Sequence, residues 1–335
     1  MIRHIKTSAI LAAYLICTSV AAQDVRTLET KVADLLVQMP ANDLEYRDKL
    51  AEETYSLGYE GQTMICSMVV PPGAGDDTGA RFAIESLSKY LNREKPSART
   101  EAWEKVCIGF AARGGNRDVQ AFFIRQLQWI GSIASIEALT PLLSDEFMCN
   151  PAIAAMQCAD PEKAAEAISS ELRSLSGMPE IEAVRALGEL KVAGANAYLL
   201  EMLDGQNEAE LQRNILRSLA SIGSPDSYKS LLNAARVSNF EPEPTGATAS
   251  LLEYAGALGK DCITKLSNKI CMGLIKKCKD PSQMHFKTAA LLIYLDNSGM
   301  QDGMPLVVKA MKDPDKAYRM SLMQYAMHNP GPVEP

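Results

Sequence analysis

Residues 127–146 read LQWIGSIASIEALTPLLSDE. Apolar side chains recur three and four positions apart on both sides of Gly131, which is the spacing of an amphipathic helix. A glycine at the join is typical of a helix end, because its backbone reaches conformations that other residues avoid. The stretch therefore predicts the end of one helix, a short turn and the start of another.

The same join recurs at intervals of 29, 31, 32, 36 and 37 residues, at Gly131, Asp160, Lys191, Gly223, Gly259 and Asp296. A period of about 30–40 residues that contains two helices is the signature of a solenoid. One pair of short helices cannot bury its apolar stripe alone, so neighbouring pairs stack into a shared core. The sequence shows no convincing alternating strand pattern; Met64–Val70 is interpreted as a helix end and a loop. We expect an all-α fold.

The stretch from Leu127 to Glu146 resembles a HEAT-type repeat, in which a helix ending Leu-x-x-Ile-Gly precedes a turn and Glu-Ala-x-x-x-Leu-Leu. Residues 221–232, SIGSPDSYKSLL, repeat the pattern. With the Ala-rich helix that follows the first copy, this is similar to HEAT-like regions of exported bacterial proteins, which sometimes adjoin a 3-keto-disaccharide hydrolase domain. The resemblance implies a right-handed α-solenoid of HEAT-like, armadillo-like helix pairs. Asp160 and Lys191 depart from it by replacing the join glycine.

The first 22 residues, MIRHIKTSAILAAYLICTSVAA, have the layout of a signal peptide. Arg3 and Lys6 precede a short apolar run, and small residues end the segment. We predict cleavage after Ala22 and export to the periplasm or the medium. The bulky Leu15 and Ile16 before Cys17 make lipidation the weaker alternative. No second apolar run is long enough to span a membrane.

Four segments follow from these patterns: the signal peptide 1–22, an N-terminal helical region 23–115 of capping or degenerate repeats, a HEAT-like array 116–329, and a disordered tail 330–335. Two loops interrupt the helices. Residues 70–79 are Gly-rich but lack the Gly-Lys-Ser/Thr ending of a phosphate loop, and we interpret them as a linker in which Asp76 and Asp77 cap the next helix. The acidic loop 237–246 is expected to project from the stack.

Composition excludes some functions and leaves others open. The 335-residue chain has a net charge of −7 and no Lys/Arg-rich run, which argues against a nucleic-acid partner. Seven cysteines follow Cys17, none in CxxC spacing, and we expect most of them to be small buried side chains, with a tertiary disulfide as the alternative. Cys271 and Cys278 are too far apart along a helix to pair.

The sequence offers little for catalysis. Beyond residue 22 only His285 and His328 remain, and neither His-x-x-His nor Gly-x-Ser-x-Gly occurs. We therefore predict no catalytic residues, no metal and no cofactor. Five aromatic residues cluster in sequence and are interpreted as core in preference to a sugar-stacking groove: Trp103, Phe110, Phe122, Phe123 and Trp129.

Five polar residues lie on the second helices of successive units, which line the concave surface in HEAT-like stacks: Arg125, Arg185, Arg213, Asn214 and Arg217. They are the candidate partner-binding residues. The alternative is that they pair with the many acidic side chains.

Three functions compete on these observations. The first is an exported, non-enzymatic scaffold that binds a protein or peptide on its concave face. The second, carried by the resemblance alone, is an accessory module of periplasmic carbohydrate processing that binds carbohydrate-processing proteins. The third is a cryptic hydrolase or lyase, which the low histidine content disfavours.

Overall fold

A computed structural model describes residues 26–329 of the chain. Those residues form seventeen α-helices with several short 3-10 helices and no strand, which confirms the all-α prediction for this range. The predicted signal peptide 1–22, its cleavage after Ala22 and the tail 330–335 lie outside the described residues. None of the described helices has the length and apolar character to cross a membrane.

The chain divides into two compact units between Val106 and Cys107. The N-terminal unit contains four helices and the first part of a fifth: α1 (Leu28–Leu36), α2 (Leu44–Ser56), α3 (Gly58–Ser67), α4 (Thr78–Asn92) and α5 (Ala98–Ala111). Residues 93–97 separate α4 from α5. The assignment of residues 23–115 and 116–329 to separate domains stays a prediction.

The N-terminal unit is held by buried side chains and by capped helix ends. Thr27 and Asp43 accept backbone N–H groups at the starts of α1 and α2, which satisfies donors that a helix leaves unpaired. Leu50, Leu87 and Trp103 are fully or almost fully buried. The Trp103 indole N–H also donates to Ser88 Oγ at 2.9 Å, so this large ring enters the core without losing a hydrogen bond.

The C-terminal unit contains twelve further helices. They are α6 (Arg117–Ile130), α7 (Ile133–Leu139), α8 (Cys149–Ala159), α9 (Pro161–Glu171), α10 (Met178–Glu189), α11 (Asn196–Leu203), α12 (Ala209–Ile222), α13 (Tyr228–Val237), α14 (Ala247–Lys260), α15 (Thr264–Lys277), α16 (Met284–Ala310) and α17 (Lys316–His328).

Five of the six predicted joins coincide with helix ends, those of α6, α8, α10, α12 and α14. Of the three join glycines only Gly223 has a left-handed backbone, with φ of 73°, and Lys191 adopts a positive φ of 52° after the end of α10. The sixth join was placed wrongly: the helix runs through Asp296 and breaks at Gly299, where φ is 77° and ψ is 163°. The bend at Gly299 brings the following residues back against the preceding ones: Gly303 packs so closely on Leu295 that a β-carbon there would overlap the leucine side chain.

Alternate helices of the C-terminal unit pack against one another. Contacts run from α6 to α8, from α8 to α10, from α10 to α12, from α12 to α14 and from α14 to α16. Polar side chains join several of these neighbours: Asn150 Nδ2 on α8 donates to Glu182 on α10 at 3.0 Å. The helices between them, such as α9, α11 and α13, therefore lie to the side of a continuous row.

The two interrupting loops are more ordered than the sequence implies. Asp77 does not cap α4 with its side chain; its Oδ2 accepts Val70 N at 2.9 Å and Arg81 Nε at 2.7 Å, which closes the loop. The expectation that loop 237–246 projects is wrong, because Phe240 is buried and Arg213 Nε donates to Pro244 O at 2.6 Å.

Candidate binding site

A close helix contact in the middle of the row lies between α10 and α12. Gly188 has no side chain, and Ser218 occupies the space that a β-carbon at residue 188 would need. Ser218 Oγ donates to Val184 O at 2.8 Å, so the small polar side chain is both buried and paired. This contact fixes the spacing of the residues that border it on the surface.

Beside this contact a cavity of about 320 Å³ opens between α10, α12 and α14. We call it the polar cleft; its lining residues are Arg185, Gly188, Glu189, Asn214, Arg217, Ser218, Ser221 and Glu253. Three of the five candidate binding residues thus meet at one place: Arg185, Asn214 and Arg217. Two guanidinium groups and two carboxylates give the cleft mixed charge.

The two arginines of the cleft are held differently. Arg185 forms a close ion pair with Glu182, which is nearly buried, and its Nε lies 3.6 Å from Glu189 Oε1. Arg217 Nε lies 4.0 Å from Glu253 Oε2, and both of these side chains are exposed. Exposed ion pairs with such long separations contribute little to stability. Arg217 is therefore the guanidinium most readily available to another group.

The other two candidates are not part of the cleft lining. Arg213 is used by the fold, since it holds the backbone of loop 237–246 through Pro244. Arg125 is an exposed residue of α6 and lies outside the lining of the cleft. Asn214, inside the cleft, donates through Nδ2 to Glu210 O at 2.9 Å, which leaves its side-chain carbonyl oxygen as an acceptor.

A second cavity was not predicted from the sequence. This apolar groove, of about 590 Å³, lies between α9, the end of α10 and α11. Its floor includes Leu172, Leu187 and Leu190, and Tyr198 forms one wall beneath the Arg173 guanidinium, 4.2 Å from the ring centre. Leu187 and Leu190 face the groove while Arg185 and Glu189 face the polar cleft, so α10 separates the two cavities.

The sequence does not predict the groove, because its walls come from three helices. Leu187 and Leu190 fit the core pattern of α10 and carry no sign of exposure to a cavity. The only local signal is a run of small residues, Ala193, Gly194 and Ala195, before α11. Small side chains there leave room between α9 and α11.

The aromatic cluster lies mainly in the cores of the two units. Trp103 is 1% exposed, and Phe122 and Phe123 are buried. The Phe123 ring stacks on Phe110 at a centroid distance of 4.8 Å. Trp129 is the exception, with 40% exposure. The interpretation of this cluster as core is confirmed for the three buried rings, which offer no stacking surface to a sugar.

Five of the seven cysteines of the described range are buried, which confirms the prediction for the majority. Burial raises the pKa of Cys271 to about 12 and that of Cys278 to about 11. Within residues 26–329 no group of three or more His, Cys, Asp or Glu side chains is arranged to hold a metal ion.

No family model matches the chain, and no curated protein matches it. The fold and site together define an all-α protein whose C-terminal unit carries a polar cleft and an apolar groove on opposite sides of one helix.

Proposed function

We propose that this protein is an exported, non-enzymatic scaffold of HEAT-like helix pairs, wound as a right-handed α-solenoid, that binds a protein or peptide partner. The serial packing of α6, α8, α10, α12, α14 and α16 supports the architecture. The coincidence of five regularly spaced joins with helix ends supports it further. Stacked helix pairs present extended surfaces that suit protein partners.

The polar cleft is the proposed centre of the binding surface, and the meeting of Arg185, Asn214 and Arg217 there is the observation that carries the proposal. The long, exposed ion pair between Arg217 and Glu253 exchanges readily for groups of a ligand. Arg217 offers N–H donors to a carboxylate or a backbone carbonyl, and Asn214 and Glu253 offer acceptors to backbone N–H groups. A polypeptide supplies all of these groups in one chain.

The proposal is tested by co-purification with a charge-changed cleft. Asn214→Asp with Arg217→Glu replaces an amide and a guanidinium of the cleft by carboxylates, and neither of the two residues is buried. Asn233→Asp with Arg236→Glu is the matched control, because it makes the same two changes at the same spacing on the exposed face of α13.

Quantitative mass spectrometry of proteins retained from the exported fraction is the readout. Some proteins should be retained by both the wild type and the control. We expect the amount of these proteins retained by the cleft variant to be at least about fivefold lower, as for substitutions at the centre of an interface. Retention of the same proteins at the same level by all three forms would overturn the assignment of the cleft.

A further inference from the structure

The last helix, α17, has two faces of different chemistry. Tyr318 and Leu322 point into a small core with Leu291, Leu295 and Ala310, and Tyr325 packs against it. The opposite face carries Met320, Met323 and Met327, which are 48%, 52% and 72% exposed. We call these three residues the methionine stripe.

The composition of the stripe is selective. The core-facing positions of α17 use leucine and tyrosine, whereas every large apolar side chain exposed on this helix is a methionine. A face that needed only apolar character would be served equally well by leucine. What the three side chains share, and leucine lacks, is a thioether sulfur.

Helix geometry brings the three sulfurs within reach of one another. Met320 and Met323 are three residues apart, and Met323 and Met327 are four apart, so each pair has β-carbons about 5–6 Å apart. Methionine has three flexible side-chain bonds, so neighbouring sulfurs can turn toward a common point. Met323 is the central member, because it is next to both of the others.

Two basic residues lie near the stripe at the start of α17, Lys316 and Arg319. The guanidinium of Arg319 donates to Asp313 O and Pro314 O at the start of α17. It is therefore held at the N-terminal end of the helix, one turn before Met323. A cation at Met323 would not meet the Arg319 guanidinium directly, and the exposed Lys316, on the same helix face, lies seven residues, about 10 Å along the helix, before Met323.

We propose that the methionine stripe binds a soft monovalent cation, Cu(I) or Ag(I), through its thioether sulfurs. Soft thioether ligands select Cu(I) over hard ions such as Mg²⁺ and Ca²⁺, which require oxygen ligands. Thioethers also bind without losing a proton, unlike thiols and imidazoles. The site is independent of the polar cleft and of any partner bound there.

The test uses the full chain with Cys158→Ala and Cys262→Ala, since these two exposed thiols would compete for the metal. Methionine methyl groups are labelled with carbon-13, and Ag(I) is added in chloride-free buffer at about pH 5, because protons compete with a metal for thiol and imidazole ligands but not for thioethers. The methyl signals of Met320, Met323 and Met327, assigned from single Met→Leu variants, report binding at each sulfur. Cu(I) is then compared under anaerobic conditions.

We expect one equivalent of Ag(I) to shift the three stripe signals together. Met320→Leu with Met323→Leu and Met327→Leu should weaken binding at least about tenfold, because it removes the sulfurs and keeps an apolar helix. The matched control is Met304→Leu with Met311→Leu, which replaces two exposed methionines, one in α16 and one at its C-terminal cap, and should leave affinity unchanged.

Stripe signals that do not move with Ag(I), or equal affinity in the wild type and the triple variant, would overturn the proposal. A third outcome would overturn it in favour of an apolar docking face: no Ag(I) shift, and self-association that survives replacement of the stripe by leucine but not by lysine.

Discussion

Gly188 and Ser218 touch across two helices, with the space for a β-carbon on residue 188 already taken: that atom would lie 2.7 Å from the Ser218 α-carbon. The contact involves backbone, so a rotamer change of Ser218 cannot relieve it. Gly188→Ala should destabilise the C-terminal unit by about 1–3 kcal/mol, the usual cost of overpacking a core. The measurement is urea denaturation followed by circular dichroism.

The matched control is Gly273→Ala on α15, where a β-carbon meets nothing within 4 Å. Alanine is the better helix former, so this variant should be neutral or more stable by up to about 1 kcal/mol. Equal effects of the two substitutions would show that α10 and α12 are not packed this closely.

Arg213 and Arg217 lie one helical turn apart on α12, and the structure gives them different roles. Arg213→Ala should speed hydrogen exchange in loop 237–246, because it removes the donor to Pro244 O. Arg217→Ala should leave exchange in that loop unchanged. Hydrogen exchange followed by mass spectrometry separates the two, and equal protection of the loop in both variants would contradict the role of Arg213.

Acid stability should depend on two ion pairs of the N-terminal unit. Hydrogen bonds from Arg93 lower the pKa of Asp48, and a hydrogen bond from Arg99 lowers the pKa of Glu52. Carboxyls with a lowered folded-state pKa stabilise the protein above their unfolded pKa of about 4, and this contribution is lost as the pH falls through the folded value.

Asp48→Asn with Glu52→Gln should therefore flatten the loss of stability below about pH 5. Urea midpoints measured across the acid range provide the test, with Glu60→Gln as the control that removes an exposed carboxylate from α3. Parallel pH curves for the wild type and the double variant would refute the assignment.

Thiol reactivity should follow burial. The exposed Cys158 and Cys262 should react quickly with iodoacetamide in the native protein, while Cys271 and Cys278 are protected by burial that also raises the pKa of each thiol. Only the thiolate is nucleophilic, so a raised pKa slows the reaction further. Peptide mapping gives the order of modification; early labelling of Cys271 would contradict its place in the core.

The sequence is informative where a local pattern has one physical meaning. Apolar spacing and the joins from Gly131 to Gly259 locate helix ends because a helix end needs residues that break or cap it. The helix end predicted at Asp296 was wrong, because the helix breaks at the nearby Gly299 and not at the position that the repeat pattern indicates. A single glycine in an apolar helix gives no warning of a sharp bend.

The candidate site depends on distances that no local pattern contains. Arg185 and Arg217 meet because the Gly188–Ser218 contact sets the spacing of α10 and α12. Arg213 and Arg217 are both arginines on α12, and the sequence does not distinguish them. Arg213 nevertheless holds loop 237–246, because Pro244, 31 residues away, lies within hydrogen-bonding distance of its guanidinium. The apolar groove escaped prediction for the same reason, since its walls are defined only once the helices pack.

The central claim, that a polypeptide partner contacts the polar cleft, is tested most directly by site-specific photo-crosslinking in cells that produce the protein. A photoreactive phenylalanine derivative is placed at Asn214 in the cleft and, as the control, at Asn233 on α13. The account predicts a discrete crosslinked protein from position 214 that is absent from position 233. A crosslink from Asn233 alone, or identical products from both positions, would contradict it.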